Sequence, residues 1–184
     1  MNDLSKLISN YDIENKLRGY HINILTYAHL TEYNDLSELL PFEMCACFIL
    51  IRTSESSGHW TCIVRHGNNI YYFDSYGVVA DGELTHISKN LRYELHENKR
   101  LLSAIINNSI SFNILYNHFQ FQSYHTQINT CGRYVTVFTL SVFEGGNIKS
   151  FTTMMKRLVK QYKAKHGNAN YVYDIVVTKL YNEI

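Results

Sequence analysis

Three apolar segments follow one another closely in the first half of the sequence. Residues 44–52 form a near-continuous apolar run, and residues 59–65 and 70–74 form two more. Polar and Gly-containing stretches at 53–58 and 66–69 separate them, which is the pattern of strands joined by tight turns. Two successive hairpins predict an antiparallel meander, and the first run is suited to a central strand.

The remaining segments predict helices and shorter extended pieces around this meander. Extended structure is expected over 22–25 and 110–122, which brings the sheet to about five strands. Helical patterns cover 3–18 (one or two short helices, broken near 10–12), 35–40 (ending at Pro41), 82–107, 150–165 and 174–181. No repeat, linker or low-complexity tract appears. We therefore expect a single compact α+β domain over residues 1–184, with a central, mostly antiparallel sheet flanked by helices.

Composition excludes several classes of protein. Of the 184 residues, 46% are hydrophobic and 18% are charged, which is typical of a globular domain with a sizeable core. The net charge of +1 gives no general reason to expect binding to nucleic acid or to an anionic membrane. No apolar stretch approaches the length of a transmembrane span, and the acidic start Met1-Asn2-Asp3 is unlike a signal peptide. We expect no membrane association.

The four cysteines do not suggest a disulfide framework or a zinc site. They are Cys45, Cys47, Cys62 and Cys131. Cys45 and Cys47 are two residues apart on a predicted strand, so both face the same way and cannot bond to each other. This usage is typical of a protein in a reducing compartment, and we expect no bound metal.

Cys131 is the best candidate nucleophile. It stands where the polar loop Asn129-Thr130 gives way to the apolar run 135–143, which predicts a buried helix that starts at the cysteine. Thr130 is a suitable N-cap, and Gly132 leaves the backbone beside the sulfur uncrowded. Unpaired N–H groups and the positive end of the helix dipole favour thiolate over thiol. The alternative is a cysteine that is simply a small buried apolar residue.

A histidine and an aspartate are expected to lie close to each other on the predicted hairpin. His59 begins the second strand, between Gly58 and Trp60, and Asp74 ends the third. In a hairpin the first residue of one strand lies opposite the last residue of the other. Asp74 can then accept a hydrogen bond from His59 Nδ1–H and stabilise an imidazolium beside Cys131. Taken singly, His59 could be a surface residue and Asp74 a turn residue, and Trp60 is expected to pack at the rim of the site.

Stabilisation of an oxyanion requires hydrogen-bond donors, and the backbone N–H of Cys131 would supply one. A side-chain amide is the usual second donor, and three glutamines precede the cysteine: Gln120, Gln122 and Gln127. Gln122 is favoured, because it ends the predicted strand 110–122, whereas Gln127 would have to curl back sharply. Ordinary loop polarity is the alternative for all three.

These residues, in this order, resemble a known group of enzymes. Gly58-His59-Trp60, then Phe73-Asp74-Ser75-Tyr76-Gly77, then a glutamine before Cys131-Gly132, are similar to the adenovirus-protease and ubiquitin-like-protein protease group of cysteine peptidases. The similarity is greatest to the adenain-like maturation proteases of virophages and polinton-type viruses, and it covers roughly residues 20–145. The resemblance implies the fold of that group, with His59 as general base, Asp74 as its orienting group, Cys131 as nucleophile and Gln122 as oxyanion donor. The family's glutamine is closer to the cysteine than Gln122 and further than Gln127, so the choice between them stays open.

The resemblance also implies a substrate and partners. Members of the group cleave after small residues, often at Gly-containing sites. The resemblance further implies that the substrate would be a capsid or other virion precursor protein trimmed during assembly, in the virion or in the cytoplasm or virus factory of the infected cell. The chemistry would need no cofactor, although an activating peptide or DNA is implied by adenovirus protease. A basic segment could contact DNA weakly, or could be a solvated helix face: Lys156, Arg157, Lys160, Lys163 and Lys165.

Two other functions use the same sequence features. A deconjugating isopeptidase would apply the same chemistry to the bond that joins a ubiquitin-like modifier to its target. A non-enzymatic binding module would keep the fold without the reaction, but such a protein usually loses at least one of His59, Asp74 and Cys131.

Overall fold

The computed structural model describes residues 3–54 and 57–184. Its centre is a five-stranded sheet in which the spatial order of the strands follows the chain order. The strands are β1 (Ile22–Thr26), β2 (Met44–Arg52), β3 (Gly58–His66), β4 (Asn69–Asp74) and β5 (Asn113–Tyr116). Met1, Asn2 and two residues of the predicted first turn, Glu55 and Ser56, lie outside the described residues.

The three central strands form the predicted antiparallel meander. In its register Met44 pairs with His66, and His66 pairs with Asn69 across the second turn. Both outer pairings are parallel, because β1 and β5 are joined to their neighbours by long connections rather than by hairpins. The α+β class and the five strands are confirmed, and the sheet is mixed rather than mostly antiparallel.

Seven α-helices among the described residues surround the sheet. They are α1 (Asn10–Lys16), α2 (Leu36–Leu39), α3 (Lys89–Glu94), α4 (Leu101–Asn107), α5 (Cys131–Phe143), α6 (Ile148–His166) and α7 (Val172–Glu183). Short 3-10 helices cover Tyr27–Glu32 and Glu83–His86, so the helical pattern predicted over 82–107 is divided into three short pieces. Within the described part of the chain, none of the helices has the length and apolar character needed to cross a membrane.

Two predicted boundaries were wrong for identifiable reasons. The residues Asn10-Tyr11-Asp12, read as a break, are the first turn of α1, since Ser9 and Asp12 form a reciprocal capping box. The strand predicted over 110–122 ends at Tyr116. Asn117 then turns the chain away from the sheet, because its side chain donates to the carbonyls of Asp74 and Phe119.

The sheet is covered on both faces, and α5 occupies the centre of one of them. Phe138 of α5 stacks on Phe73 of β4 with ring centroids 4.3 Å apart, and Phe151 of α6 meets both rings edge-on. All but two residues of α5 are buried, so the apolar run predicted to be a buried helix is one. The opposite face packs against the shorter helices α2 and α4. Because α5 is fixed in this core, its first residue has a defined position at the end of the sheet.

Candidate active site

His59 and Asp74 lie on the same face of the sheet, as the hairpin predicted. Thr61 pairs with Asp74 in the register, so their side chains lie on the same face. His59 is two residues before Thr61 on β3, and side chains two residues apart on a strand point to the same face. The ring Nε2 of His59 donates to Oδ2 of Asp74 over 2.8 Å. The predicted Nδ1–H bond was therefore assigned to the wrong nitrogen.

Asp74 is fully buried, and hydrogen bonds hold both its carboxylate and its backbone carbonyl in place. Its second oxygen, Oδ1, accepts the backbone N–H of Tyr76 over 2.7 Å. Its backbone carbonyl accepts Asn117 Nδ2 at 2.6 Å and Gly77 N–H at 3.0 Å. With its neighbours fixed in this way, Asp74 presents one free oxygen to the imidazole, which orients the ring.

Cys131 is the first residue of α5, and its side chain contacts the other side of the His59 ring. The thiol lies near enough to the His59 ring for His59 to lower its pKa, and because Nε2 is used by Asp74, Nδ1 remains for the sulfur. The backbone N–H groups of Trp60 and Gly132 also lower the pKa of this thiol. The structure thus brings Cys131, His59 and Asp74 into one row, in which a hydrogen bond joins His59 to Asp74.

Electrostatics in this row favour an ion pair. Burial alone raises the pKa of the Cys131 thiol, but the hydrogen bond and the charge of His59, with two backbone N–H donors, outweigh it and lower that pKa. Burial lowers the pKa of His59, yet the Asp74 carboxylate and Cys131 raise it well above its ordinary value. The other three cysteines are free and buried, and burial raises the pKa of each: Cys45, Cys47 and Cys62. Cys131 is the one thiol whose surroundings favour the thiolate.

The start of α5 is fixed by contacts other than the predicted cap. Thr130 is the N-cap residue, but its hydroxyl does not cap the helix and donates instead to Oδ1 of Asp174 over 2.6 Å. Gly132 is needed for space, since a Cβ there would lie 2.8 Å from Cβ of Ile8. The predicted packing residue Trp60 is buried, and its indole N–H donates to the Ile8 carbonyl over 3.2 Å. The segment before α1 therefore packs directly behind the cysteine.

Gln122 is buried, whereas Gln120 and Gln127 are exposed. Gln122 was predicted to end a strand, but it lies in an irregular segment six residues after the end of β5. Its Oε1 accepts the Ser75 hydroxyl over 2.7 Å, and its Nε2 donates to Tyr76 Oη at 3.0 Å and to the Ile128 carbonyl at 3.2 Å. These bonds join Gln122 to the corner that carries Asp74.

Tyr76 was not identified from the sequence as part of the site. Its ring stacks on the His59 imidazole with centroids 4.8 Å apart and 19° between the planes. A signal existed, because continuing the strand register two residues past the Thr61–Asp74 pair places Tyr76 opposite His59. The stacked ring restricts rotation of the imidazole.

Two buried carboxylates were also missed. Glu83 lies in the second 3-10 helix, where its Oε1 has no hydrogen-bond partner and burial raises its pKa. His59, Asp74 and Glu83 each offer one atom within 4.8 Å of the other two, and they are the one group in the described part of the chain that could hold a metal ion in this way. A direct hydrogen bond already joins two members of this group, His59 and Asp74. Glu83 gave no signal, because it belongs to an ordinary amphipathic pattern.

Asp174 is the second missed carboxylate, and it connects α7 to the site. It is fully buried, and burial raises its pKa. Oδ1 accepts the Thr130 hydroxyl over 2.6 Å, and Oδ2 accepts the Ser123 backbone N–H over 3.2 Å. Since Thr130 precedes Cys131 and Ser123 follows Gln122, this one carboxylate holds both loops that carry candidate oxyanion donors.

The basic segment predicted as a helix lies on α6, away from this row. Its cations are exposed: Lys156, Arg157, Lys160, Lys163 and Lys165. Lys156 Nζ lies 4.6 Å from the centroid of the Phe119 ring. Exposure of this kind is equally compatible with a solvated helix face and with a surface that contacts phosphates.

Comparison with the solved structure of a viral protease confirms the fold. The crystal structure of the ASFV pS273R protease superposes with a TM-score of 0.50 at 12% sequence identity, over 96% of this chain and 68% of that chain. A structure of the SUMO protease Ulp1, with its catalytic cysteine oxidized to a sulfenic acid, gives a TM-score of 0.45 at 12% identity over 99% of this chain and 80% of that chain.

Comparison of sequences adds a viral relative. No family model matches the chain. "Uncharacterized protein V9" of Sputnik virophage is 32% identical over 129 residues, which are 69% of this chain and 71% of the relative. The chain therefore belongs to the same family as the V9 protein of Sputnik virophage.

Proposed function

We propose that this protein is a cysteine endopeptidase that cleaves viral precursor proteins during particle maturation. The observation that carries the proposal is the row Cys131–His59–Asp74, in which Asp74 bonds to His59 and His59 lowers the pKa of the thiol, with the sulfur at the first turn of a buried helix. A row of nucleophile, imidazole and carboxylate is the arrangement that activates a thiol for acyl transfer. The fold shared with a protein named as a protease and the virophage relative support the assignment.

The geometry suggests how each group would act. The Cys131 thiolate attacks the carbonyl carbon of the scissile peptide bond, and the oxygen that becomes negative accepts the Cys131 backbone N–H. The tetrahedral intermediate collapses as the C–N bond breaks, and the His59 imidazolium gives its proton to the leaving amine. A water molecule, deprotonated by His59, then hydrolyses the thioester and releases the thiolate. Asp74 keeps the ring oriented and stabilises its charged form in both half-reactions.

The proposed substrate is a capsid or other virion precursor protein, cleaved in the virion or in the cytoplasm or virus factory of the infected cell. The virophage relative supports a viral role for the family. The chemistry described needs no cofactor. We further propose that a peptide or DNA activator, if the reaction uses one, acts from outside the catalytic row. DNA would meet the exposed cations of α6: Lys156, Arg157, Lys160 and Lys163.

The test is co-expression of this protein with the major capsid protein of the same virus, followed by intact-mass analysis. We expect the wild type to trim the capsid protein and the Cys131→Ala variant to leave it intact. Cys45→Ala is the matched control, because it also replaces a buried cysteine by alanine but lies outside the row. Trimming should survive in that control, and addition of DNA shows whether it accelerates cleavage.

Other outcomes would contradict the proposal in distinct ways. Trimming that persists in Cys131→Ala would exclude this cysteine as the nucleophile. Turnover of fluorophore conjugates of ubiquitin-like modifiers, without capsid cleavage, would reassign the protein as an isopeptidase. Inertness toward capsid protein, peptides and conjugates, with DNA supplied, would indicate a binding module that retains the fold.

A further inference from the structure

The oxyanion site predicted from the sequence has an inconsistency in the structure. Gln122 was expected to donate to the oxyanion, and a primary amide has two N–H donors. Both are already engaged, one with Tyr76 Oη at 3.0 Å and one with the Ile128 carbonyl at 3.2 Å. In this arrangement the amide has no proton left for a substrate.

Tyr76 has the proton that Gln122 lacks. Its hydroxyl oxygen accepts the Gln122 amide, while none of the described residues accepts a hydrogen bond from the hydroxyl itself. A phenol is both donor and acceptor, so the O–H of Tyr76 remains available to a ligand. Tyr76 as a whole is partly buried.

The Tyr76 side chain lies beside the reacting groups. Its ring stacks on His59, with ring centroids 4.8 Å apart, and His59 in turn lowers the pKa of the Cys131 thiol. Gln122 Nε2 donates both to the Tyr76 hydroxyl oxygen and to the carbonyl of Ile128, which is three residues before Cys131. Burial and then the negative charge of Cys131 raise the pKa of Tyr76 above its ordinary value, so the phenol keeps its proton at neutral pH.

We propose that the Tyr76 hydroxyl is the side-chain donor to the oxyanion, and that Gln122 is a positioning residue which holds it. This inference rests on the proposed peptidase function. The donors form a chain in which Ser75 Oγ donates to Gln122 Oε1, Gln122 Nε2 donates to Tyr76 Oη, and Tyr76 donates to the substrate oxygen. Successive hydrogen bonds of this kind polarise one another and strengthen the last donor.

The step needs no group beyond those named. As the Cys131 sulfur bonds to the carbonyl carbon, the electron pair of the C=O π bond moves onto oxygen. That oxygen accepts the Tyr76 O–H and the Cys131 backbone N–H, and neither proton is transferred. When the C–N bond breaks, the pair returns to re-form the carbonyl, and the proton on the leaving amine comes from His59.

The decisive variant is Tyr76→Phe in the full chain, because it keeps the ring that stacks on His59 and removes only the hydroxyl. We expect kcat for a Gly-containing peptide substrate to fall about 10²- to 10³-fold with KM unchanged, which is the usual cost of one oxyanion donor. Alkylation of Cys131 by iodoacetamide should be unaffected, since it requires the thiolate but forms no oxyanion. Tyr124→Phe is the matched control: Tyr124 stacks on the other face of Tyr76, is 59% exposed, and should keep full activity.

A second measurement is independent of turnover. A short glycine-ended peptide aldehyde adds to a thiol to give a tetrahedral adduct whose oxygen occupies the oxyanion position. Its affinity, measured by protection of Cys131 from alkylation, should fall in Tyr76→Phe and hold in Tyr124→Phe. Gln122→Ala should lower kcat similarly, and the double variant should be no worse than either single one, because the two residues act as one unit.

The two proposals fail in different ways. If the wild type turns over peptide and Tyr76→Phe retains its kcat and its aldehyde affinity, the inference about Tyr76 is wrong and the peptidase function stands. A loss of kcat matched by an equal loss of alkylation rate would show that Tyr76 acts only by holding His59. If the wild type turns over nothing, the peptidase function fails, and the aldehyde affinity alone decides whether the hydroxyl is a donor.

Discussion

The ion pair makes a prediction that requires no knowledge of the substrate: the reactivity of Cys131 should depend little on pH, and His59 should be the cause. The two largest effects on the thiol oppose each other, since burial raises its pKa and His59 lowers it. The substitution His59→Gln removes the second effect and leaves the first. The pKa of Cys131 should then rise above its ordinary value, as burial already raises that of Cys45.

The expected magnitude follows from thiolate fractions. A thiol with a pKa of about 8.5 is roughly 24% ionised at pH 8 and about 0.3% ionised at pH 6, so its alkylation slows about 80-fold between the two. In the wild type the pKa of Cys131 is lowered and that of His59 is raised, so the pair is ionised across the window between those two values. We expect the Cys131 rate to change less than about 10-fold over the same interval. In His59→Gln the ratio should approach about 100-fold, the limit for a thiol that titrates above pH 8.

Different changes are expected at the two ends of the pH range in which the pair is ionised. As pH falls below the lowered pKa of Cys131, the sulfur gains a proton and alkylation slows. As pH rises through the raised pKa of His59, the imidazolium is lost, so the ion pair disappears although the thiolate remains. Peptide cleavage, which needs the imidazolium proton for the leaving amine, should therefore decline at high pH while alkylation does not.

The assay is timed alkylation of the folded protein by limiting iodoacetamide, followed by quenching, digestion and mass spectrometry of each cysteine peptide. Cys45, Cys47 and Cys62 serve as internal references in every sample. Asp74→Asn is an intermediate variant, because it keeps a hydrogen-bonding group at 2.8 Å from His59 but removes the charge that favours the imidazolium. Equal pH ratios for Cys131 and Cys45 in the wild type, or an unchanged ratio in His59→Gln, would refute the reasoning.

Two further predictions concern the contacts that position the cysteine. Asp174→Ala leaves the Thr130 hydroxyl and the Ser123 N–H without an acceptor, so urea denaturation should show a loss of about 2–5 kcal/mol in the free energy of unfolding. A loss under about 0.5 kcal/mol would show that the carboxylate is not structural. Gly132→Ala places a Cβ 2.8 Å from Cβ of Ile8, and such overpacking should cost about 1–3 kcal/mol. Ile8→Gly should remove that clash, because glycine lacks the Cβ that alanine would keep. The penalty of Gly132→Ala should therefore be smaller in the Ile8→Gly background, and equal penalties in both backgrounds would contradict the contact.

The parts of the fold that the sequence predicted are those set by local pattern. Strand β2 was predicted with its observed bounds, and β3 and β4 to within one residue, because apolar runs and turn residues determine them over short distances. The outer strand β5 was predicted to be too long. Its end is set by Asn117, whose side chain donates to the carbonyl of Asp74, 43 residues away in the sequence. A contact at that distance leaves no trace in periodicity.

The same division runs through the candidate site. Hairpin register was enough to bring His59 near Asp74, but which ring nitrogen meets the carboxylate depends on a side-chain torsion that sequence does not specify. Asp174 and Glu83 come from elements whose packing no local pattern reveals, and both are buried carboxylates next to groups of the site. Sequence therefore identified the residues with intrinsic reactivity, whereas the residues that hold them in position were visible only once the chain was folded. These holding contacts reach Cys131 from α7 and from the segment before α1. We therefore expect substitutions that loosen either segment to change the alkylation rate of Cys131, even though they leave His59 and Asp74 in place.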